Sequence, residues 1–98
     1  MKAYEVLEQY GWTQGVFARD KEGRQVDTGH EQAASFCVLG AIKRAYGNNT
    51  LEECEAVIKL RERIHAKFPQ YEGSLVMWND ENGRRKEDVI HFLKALNV

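Results

Sequence analysis

Nucleophilic catalysis in this sequence would begin with Cys37 and one of the three histidines. A cysteine reacts as its thiolate, which a helix N-terminus or a neighbouring cation stabilises. The apolar residues around Cys37 instead predict a position about two turns inside a helix, where burial raises the pKa of a thiol. We therefore predict that Cys37 is a small buried side chain, and that Cys54 in the next helix is another.

Several polar side chains that could act as acids, bases or cation ligands fall in predicted loops: Asp20, Asp27, Asn79 and Asp80. If these loops converge, the carboxylates could bind a hard cation or form an acid and base pair. Loop aspartates also accept hydrogen bonds from nearby backbone amides in turns and helix caps, and the sequence favours this role. Asp80 is the first choice for a polar site residue.

The metal and phosphate motifs with a known mechanism do not occur in the sequence. Cys37 and Cys54 lack the CxxC or HxxxH spacing of metal ligands, and a shared site would need both middle helices to face each other there. The glycines between residues 11 and 23 match neither GxGxxG nor the Walker pattern. We therefore expect neither a metal nor a cofactor.

Two tryptophans and one basic run could contribute to a binding surface. Trp12 and Trp78 flank the irregular segments, where an indole usually packs inside and donates its N–H to a partner. An exposed aromatic anchor for another protein is the alternative. Arg84, Arg85 and Lys86 form the only basic cluster, which we expect to be a solvated turn. If exposed, it could bind an acidic partner or a phosphate.

Length and charge exclude several classes of protein. A chain of 98 residues predicts one globular domain, residues 1–98. Fourteen Lys and Arg against fifteen Asp and Glu give a net charge of -1, which argues against a nucleic-acid-binding protein. No apolar run reaches the roughly 20 residues that span a bilayer, and no signal peptide opens the chain. We expect a cytoplasmic protein without membrane contact.

Hydrophobic spacing and end signals predict four helices. They cover roughly residues 3–10, 31–46, 50–68 and 85–96. Gly11 is the expected left-handed stop of the first helix. Thr50 and Glu53 form a capping-box pattern, and Pro69 prevents the third helix from continuing. Gly40 costs the second helix about 1 kcal/mol relative to alanine, so it predicts the close approach of another backbone.

Extended segments complete the pattern. Residues 16–19 and 24–26 flank a turn at residues 20–23 and predict a small β-hairpin. The apolar run 74–78 is too short for a helix alone, and we expect an extended segment, either separate or as a third strand. The predicted fold is α+β, mostly α, with about four helices. Its expected core is Val6, Leu7, Phe17, Phe36, Cys37, Leu39, Ile42, Val57, Ile58, Ile64, Val89, Phe92 and Leu93.

Three short motifs occur in an order that resembles a known family: GWTQG at residues 11–15, CVLGA at 37–41 and WND at 78–80. The family consists of small uncharacterised proteins with a domain of unknown function, found in bacteria and in phages or prophages. Two positions depart from it. Phe36 replaces a tryptophan, and Arg85 replaces the threonine or serine that caps the last helix, so Asn82 or Asp80 should provide that cap. The resemblance implies a bacterial cytoplasm and no particular reaction.

The sequence leaves three functions open, and the first is favoured. It is a non-catalytic domain that binds another protein, with Trp12, Trp78 and the basic turn on one surface; by resemblance it could inhibit a host defence complex. The second is a small enzyme or ligand-binding protein that uses Asp80, Asn79 and Asp20. The third is weak nucleic-acid binding through Arg84, Arg85 and Lys86. Homo-oligomerisation is a further possibility.

Overall fold

The computed structural model describes residues 1–98. The helices are α1 (Ala3–Gln9), α2 (Val38–Tyr46), α3 (Leu51–Lys67), α4 (Leu75–Asn79) and α5 (Lys86–Ala95), with a 3-10 turn at Pro69–Tyr71. The strands are β1 (Gly11–Trp12), β2 (Ala18–Asp20) and β3 (Ala33–Phe36). The predicted fold class, α+β and mostly α, is confirmed.

The three strands form one mixed sheet with β3 in the centre. β1 runs parallel to β3, and β2 runs antiparallel to it. The predicted turn at residues 20–23 is present, with Gly23 at a φ of 86° and its amide donating to the Asp20 carbonyl at 3.0 Å. Only one bridge, between Arg19 and Gln25, forms the return arm. The hairpin is therefore reduced, and β3 is the main partner of β2.

The predicted second helix begins seven residues too early. Residues 33–36 form the central strand, and Cys37 is the N-cap of α2 rather than a residue two turns inside it. A continuous apolar run fits a buried strand as well as a buried helix, so periodicity could not separate the two. Gly11 also differs from the prediction. It lies in β1, where an added Cβ would lie 3.1 Å from the Ser35 Cβ.

The segment predicted as extended, residues 74–78, is mostly the short helix α4. Ser74 is its N-cap, and the serine hydroxyl accepts a hydrogen bond from the Met77 amide at 3.1 Å. Capping satisfies an amide that has no partner within the helix. The third strand is instead β1, which directly follows α1. The α4 helix places Trp78 and Asn79 inside the protein and Met77 outside.

The α3 helix turns a different face to the core than the sequence predicted. Its cap is as expected, because the Thr50 hydroxyl accepts from the Glu53 amide at 3.0 Å. However, Ala56, Leu60 and Ile64 are buried. The sequence predicted one apolar stripe of Leu51, Cys54, Val57, Ile58, Ile64 and Phe68. Ile64 is buried as predicted, and Val57 and Phe68 are partly buried. Leu51, Cys54 and Ile58 are exposed, with Leu51 70% and Ile58 50% accessible, so Cys54 is not the buried side chain that the sequence predicted. The helix has two apolar stripes, and only one packs inside.

The last helix receives its cap from its own first turn. The Arg85 amide donates to the Asp88 carboxylate at 2.9 Å. This contact replaces the cap expected from Asn82 or Asp80. The basic side chain at the N-cap position is tolerated because Glu87 and Asp88 supply the negative charge that a helix N-terminus favours.

Nineteen buried apolar residues form one core cluster around α1, α2 and α5. Phe17 and Ile58 were predicted in the core but are 43% and 50% exposed. Leu39, Val57 and Phe92 are partly buried against the cluster. Several alanines that were not predicted take full core positions, because elements that approach closely need small side chains. These are Ala3, Ala18, Ala33 and Ala41.

Gly40 marks the closest approach of two chain segments, as predicted. A Cβ at this residue would lie 2.0 Å from the Phe17 carbonyl oxygen. That same oxygen accepts a hydrogen bond from the Cys37 amide at 3.1 Å. The loop before β2 is therefore pressed against the first turn of α2, and this contact positions the surface described next.

Candidate functional site

The three sequence motifs meet at the side chain of Asn79, which is completely buried. Its Oδ1 atom accepts from the Trp12 indole N–H at 2.7 Å and from the Val38 amide at 2.9 Å. Its Nδ2 atom donates to the Thr13 carbonyl at 3.1 Å and to the Asp80 carboxylate at 2.9 Å. An amide side chain has two donors and two acceptor sites, so all four are used. Asn79 therefore joins β1, α2 and α4 and has no capacity left for a ligand.

Asp80 and Gln14 hold the loop between β1 and β2 onto α4. The Asp80 carboxylate accepts from the Gly15 amide at 3.1 Å. The Gln14 side chain donates to the carbonyls of Asn79 and Glu81 at 2.9 and 3.1 Å. Each of these hydrogen bonds joins residues that lie at least 65 positions apart in the sequence. Asp80 thus fastens two segments together rather than capping the following helix.

The Cys37 thiol lies at the N-cap of α2 but is only 3% exposed. Burial raises the pKa of Cys37 above its ordinary value, and the nearby Asp80 carboxylate raises it further. The amides of Gly40 and Leu39 act in the opposite direction without reversing the shift. Its Sγ accepts from the Gly40 amide at 3.3 Å. A neutral, buried thiol beside a carboxylate is a poor nucleophile.

The thiol adjoins a recess of 30 Å³, too small for a substrate. The lining residues are Gly15, Val16, Phe17, Cys37, Val76 and Asp80. No histidine is among them, so the pairing of Cys37 with an imidazole that the sequence left open is not formed here. The recess is instead a small gap between the loop before β2 and α4.

Asp20 does not join Asn79 and Asp80. Its carboxylate accepts from the backbone amides of Arg24 and Glu22 at 2.9 and 3.0 Å, and from the Arg24 guanidinium. These contacts, led by the Arg24 amide, lower the pKa of Asp20. It is a turn residue, and none of the five main cavities is lined by both Asp20 and Asp80. No three acidic, histidine or cysteine side chains come close enough to share a metal ion.

Both tryptophans serve mainly as internal anchors. Trp12 donates its indole N–H to Asn79, as expected for a tryptophan at the end of an apolar segment. Trp78 is 2% exposed and packs against Phe92, with ring centroids 4.8 Å apart. Its own indole N–H has no hydrogen-bond partner. Neither indole offers the exposed anchor that the sequence allowed.

The basic run also turns inward. Arg84 stacks over the Trp78 ring at 4.5 Å and donates to the Trp78 carbonyl at 2.9 Å. Lys86 donates to the Tyr10 carbonyl at 3.0 Å. Arg85 is exposed but contacts the Asp88 carboxylate at 3.3 Å. Two of the three cations thus stabilise the fold, and the run is not a free basic patch.

Two exposed apolar side chains, Phe17 and Val76, line the recess, and exposed Met77 follows Val76 in α4. Phe17, Val76 and Met77 are 43%, 40% and 55% exposed. Val76 also lines a 320 Å³ groove between α3 and α4, together with the partly buried Leu39 and Val57. We call Phe17, Leu39, Val57, Val76 and Met77 the α4 surface. The sequence did not indicate this surface, because an extended segment at residues 74–78 would direct its side chains differently and because Phe17 was predicted in the core.

A larger polar cleft of 620 Å³ lies on the other side of Phe17, beside residues 25–29. Its two cations already have partners. Lys43 contacts the Glu53 carboxylate at 2.7 Å, and the ammonium group lowers the pKa of Glu53. Arg44 donates to the carbonyls of Thr28 and His30 at 2.9 and 3.0 Å. Lys43 is therefore paired with an acid, and Arg44 is held against the backbone of residues 28–30.

Comparison with known proteins gives a family without an assigned activity. No curated protein and no solved structure is significantly similar to the chain. None of its helices combines the length and the apolar character that crossing a bilayer requires. The model of a family of unknown function, DUF6197, matches residues 1–96. With nearly the whole sequence matched, the chain belongs to DUF6197.

Proposed function

We propose that this protein is a non-catalytic domain that binds another protein through the α4 surface. The observation that carries the proposal is the exposure of Phe17 and Val76, which line the recess beside Cys37 and Asp80, and of Met77, which follows Val76 in α4. Exposed apolar side chains that adjoin one another typically mark an interaction site in a folded domain. The motifs themselves would then serve to build and hold this surface.

The use of the polar motif residues favours binding over catalysis. A catalytic group must reach a substrate with unused donors, acceptors or a reactive atom. The Asn79 amide has all its hydrogen bonds inside the protein, and the Cys37 thiol is buried with a raised pKa. Asp80 is engaged with the Gly15 loop. These residues therefore support a rigid scaffold.

The form of the α4 surface fits an amphipathic segment of a protein partner. The groove between α3 and α4 has an apolar floor of Leu39, Val57 and Val76, while Arg61 and Glu72 lie at its edge. An apolar groove with a mixed polar rim is the usual seat of an amphipathic helix. The exposed Met77 side chain is flexible and can adapt to the shape of a partner. A small polar metabolite would find few hydrogen-bonding groups there.

The resemblance to bacterial and phage proteins directs the choice of partner. We propose that the chain acts in the bacterial cytoplasm, and that a host protein, such as a component of a defence complex, is the bound protein. Nucleic acid is a less suitable partner for the α4 surface, because the groove there is lined by apolar side chains and the cations of the basic run, Arg84 and Lys86, are engaged within the fold. Affinity for nucleic acid depends on cations that remain available to phosphates.

Capture from a lysate of the encoding organism tests the proposal when matched variants are compared. The wild-type chain should retain a partner that Phe17→Glu and Val76→Glu lose. Lys21→Glu, an exposed change in the 20–23 turn, should retain it. Circular dichroism must show that all variants are folded. Equal recovery with the wild type and both α4 variants, or no partner in any sample, would refute the assigned surface.

A further inference from the structure

One apolar stripe of α3 faces solvent and belongs neither to the core nor to the α4 surface. It consists of Leu51, Cys54 and Ile58, and all three side chains are exposed. Their spacing, i, i+3 and i+7, places them on one side of the helix. The core residues Ala56, Leu60 and Ile64 occupy the opposite side. We call Leu51, Cys54 and Ile58 the α3 stripe.

The spacing of the α3 stripe is that of a helix which pairs with another helix. Arg61 and His65 continue the same row at i+10 and i+14 from Leu51, and both are exposed. This alternation of three and four residues is the pattern of the seam in two-stranded helix pairs. The row is apolar at its N-terminal end and basic at its C-terminal end. A partner helix should therefore present the reverse order.

Exposed charges divide α3 in the same way. The first half carries Glu52 and Glu55 and no exposed cation. The second half carries four exposed cations and one exposed acid: Lys59, Arg61, Arg63, Lys67 and Glu62. None of these side chains forms an ion pair within the protein, since the five ion pairs of the chain lie elsewhere. This contrasts with the cations of α2, which are all engaged.

We propose that the α3 stripe pairs with the α3 stripe of a second copy of this chain, with the two helices antiparallel. An antiparallel pair sets the acidic half of each helix against the basic half of the other, whereas a parallel pair would oppose like charges. The polarity of α3 also suits its own helix dipole. The exposed apolar row between these charges is the feature that the dipole does not explain.

The register follows from matching the charges. With Ile58 on the two-fold axis, Glu55 of each copy lies opposite Arg61 of the other. Leu51 then lies opposite His65, so the aliphatic part of the row covers the imidazole. A two-fold arrangement uses the same patch on both copies and closes the assembly at two. The α3 stripe shares no residue with the α4 surface, although Arg61, which continues its row, also lines the groove between α3 and α4. The dimer does not depend on the function proposed for the α4 surface.

A contact of one helix per copy is small, so the dimer should be weak. α3 is about 25 Å long, and a single helix pair falls among the small, transient interfaces. We expect dissociation in the micromolar range, which concentrations from about 1 to 500 µM would cover. Sedimentation equilibrium of the whole chain, in reducing buffer, should show a monomer that converts to a dimer and no larger species.

Two substitutions at exposed positions distinguish dimerisation through the α3 stripe from partner binding through the α4 surface. Ile58→Glu places two glutamates on the axis and should weaken the dimer at least tenfold. Met77→Glu is the matched control, because Met77 is 55% exposed and lies outside α3. It should leave dimerisation unchanged and affect only partner binding. A wild-type chain that stays monomeric throughout, or a dimer that Ile58→Glu does not weaken, would refute the proposal.

Charge exchange tests whether the α3 charges hold the two copies together, and cross-linking tests the orientation of the helices. Glu52→Lys with Glu55→Lys makes α3 basic throughout, and Arg61→Glu with Arg63→Glu makes it acidic. Each variant should be monomeric alone, and a mixture should form the dimer. In a Cys54→Ser background, Leu51→Cys and His65→Cys should form a mixed disulfide when combined and little dimer when separate. Efficient cross-linking of either cysteine variant with itself would show a parallel pair and overturn the antiparallel assignment.

Discussion

Replacing Gly40 by alanine should destabilise the protein, although the same change stabilises most helices. Gly40 is in the first turn of α2, and alanine in a helix is ordinarily favoured over glycine by about 1 kcal/mol. Here the new methyl group would lie 2.0 Å from the Phe17 carbonyl oxygen and 2.9 Å from its carbon. The sign of the effect therefore depends on whether the loop before β2 lies where the structure places it.

The size of the stability loss in Gly40→Ala depends on which atoms must move to relieve the clash. Both atoms in the way belong to the backbone, so no side-chain rotation relieves the clash. Overpacking of this kind costs roughly 1–3 kcal/mol. Displacing Phe17 also strains the 3.1 Å hydrogen bond from the Cys37 amide, which contributes about 1 kcal/mol. After the helix-propensity gain is subtracted, the net loss is about 2 kcal/mol, or roughly 8–16 °C in Tm.

Urea unfolding followed by tryptophan fluorescence measures this loss directly. Gly29→Ala is the matched control, because its Cβ would have no atom within 4 Å and its φ is not positive. That control should change the unfolding free energy by less than about 1 kcal/mol. A Gly40→Ala protein as stable as the wild type, or more stable, would refute the close approach of the Phe17 backbone to α2.

Three further predictions test the polar interior. Asn79→Ala leaves the Trp12 indole and the Val38 amide without acceptors. Its free energy of unfolding, measured in urea, should be roughly 3 kcal/mol lower than that of the wild type. The exposed control Asn82→Ala should change this free energy little. Iodoacetamide should label Cys54 in the native protein and both cysteines after denaturation, as mass spectrometry would show; rapid native labelling of Cys37 would contradict its burial. The Lys43 ammonium lowers the pKa of Glu53 below its ordinary value of 4.5. The ionised Glu53 therefore stabilises the folded state above that pH, and this stabilisation is lost as the pH falls through the lower pKa of Glu53 in the folded protein. Glu53→Gln should therefore be less stable at about pH 7, and its denaturant midpoint should fall less than that of the wild type between about pH 5 and pH 3.

Local signals in the sequence were sufficient for the elements that have defined ends. Thr50 and Pro69 bounded α3, Gly23 closed its turn, and Gly40 indicated a close backbone contact. Each of these residues acts through its own steric or hydrogen-bonding properties. The segment from residue 31 to 46 has no such marker in its middle. Its division into β3 and α2 depends on pairing with β1 and β2, which lie distant in sequence.

The buried face of α3 shows a second limit of the pattern. The exposed row Leu51, Cys54 and Ile58 is similar in apolar character to the buried row Ala56, Leu60 and Ile64. Spacing identifies an apolar stripe but not which of two stripes meets the core. A small residue such as Ala56 occurs at a close contact because a larger side chain would hold the helices apart. The exposed members of the predicted stripe, Leu51, Cys54 and Ile58, are also the residues that support the proposed dimer.

The sequence indicated the polar motif residues beside the candidate site but not the α4 surface itself. The sequence indicated the motifs around Trp12, Cys37 and Asn79. No local pattern, however, shows that the side-chain amide of Asn79 in α4 would form hydrogen bonds with both the end of β1 and the start of α2. That arrangement explains why polar residues occupy the interior. An irregular loop pressed against a helix leaves backbone amides that need acceptors, and Asn79 and Asp80 provide them. The polar motifs thus fix the position of Phe17 relative to α4, and the apolar residues on either side are left exposed as the part of the molecule that can bind.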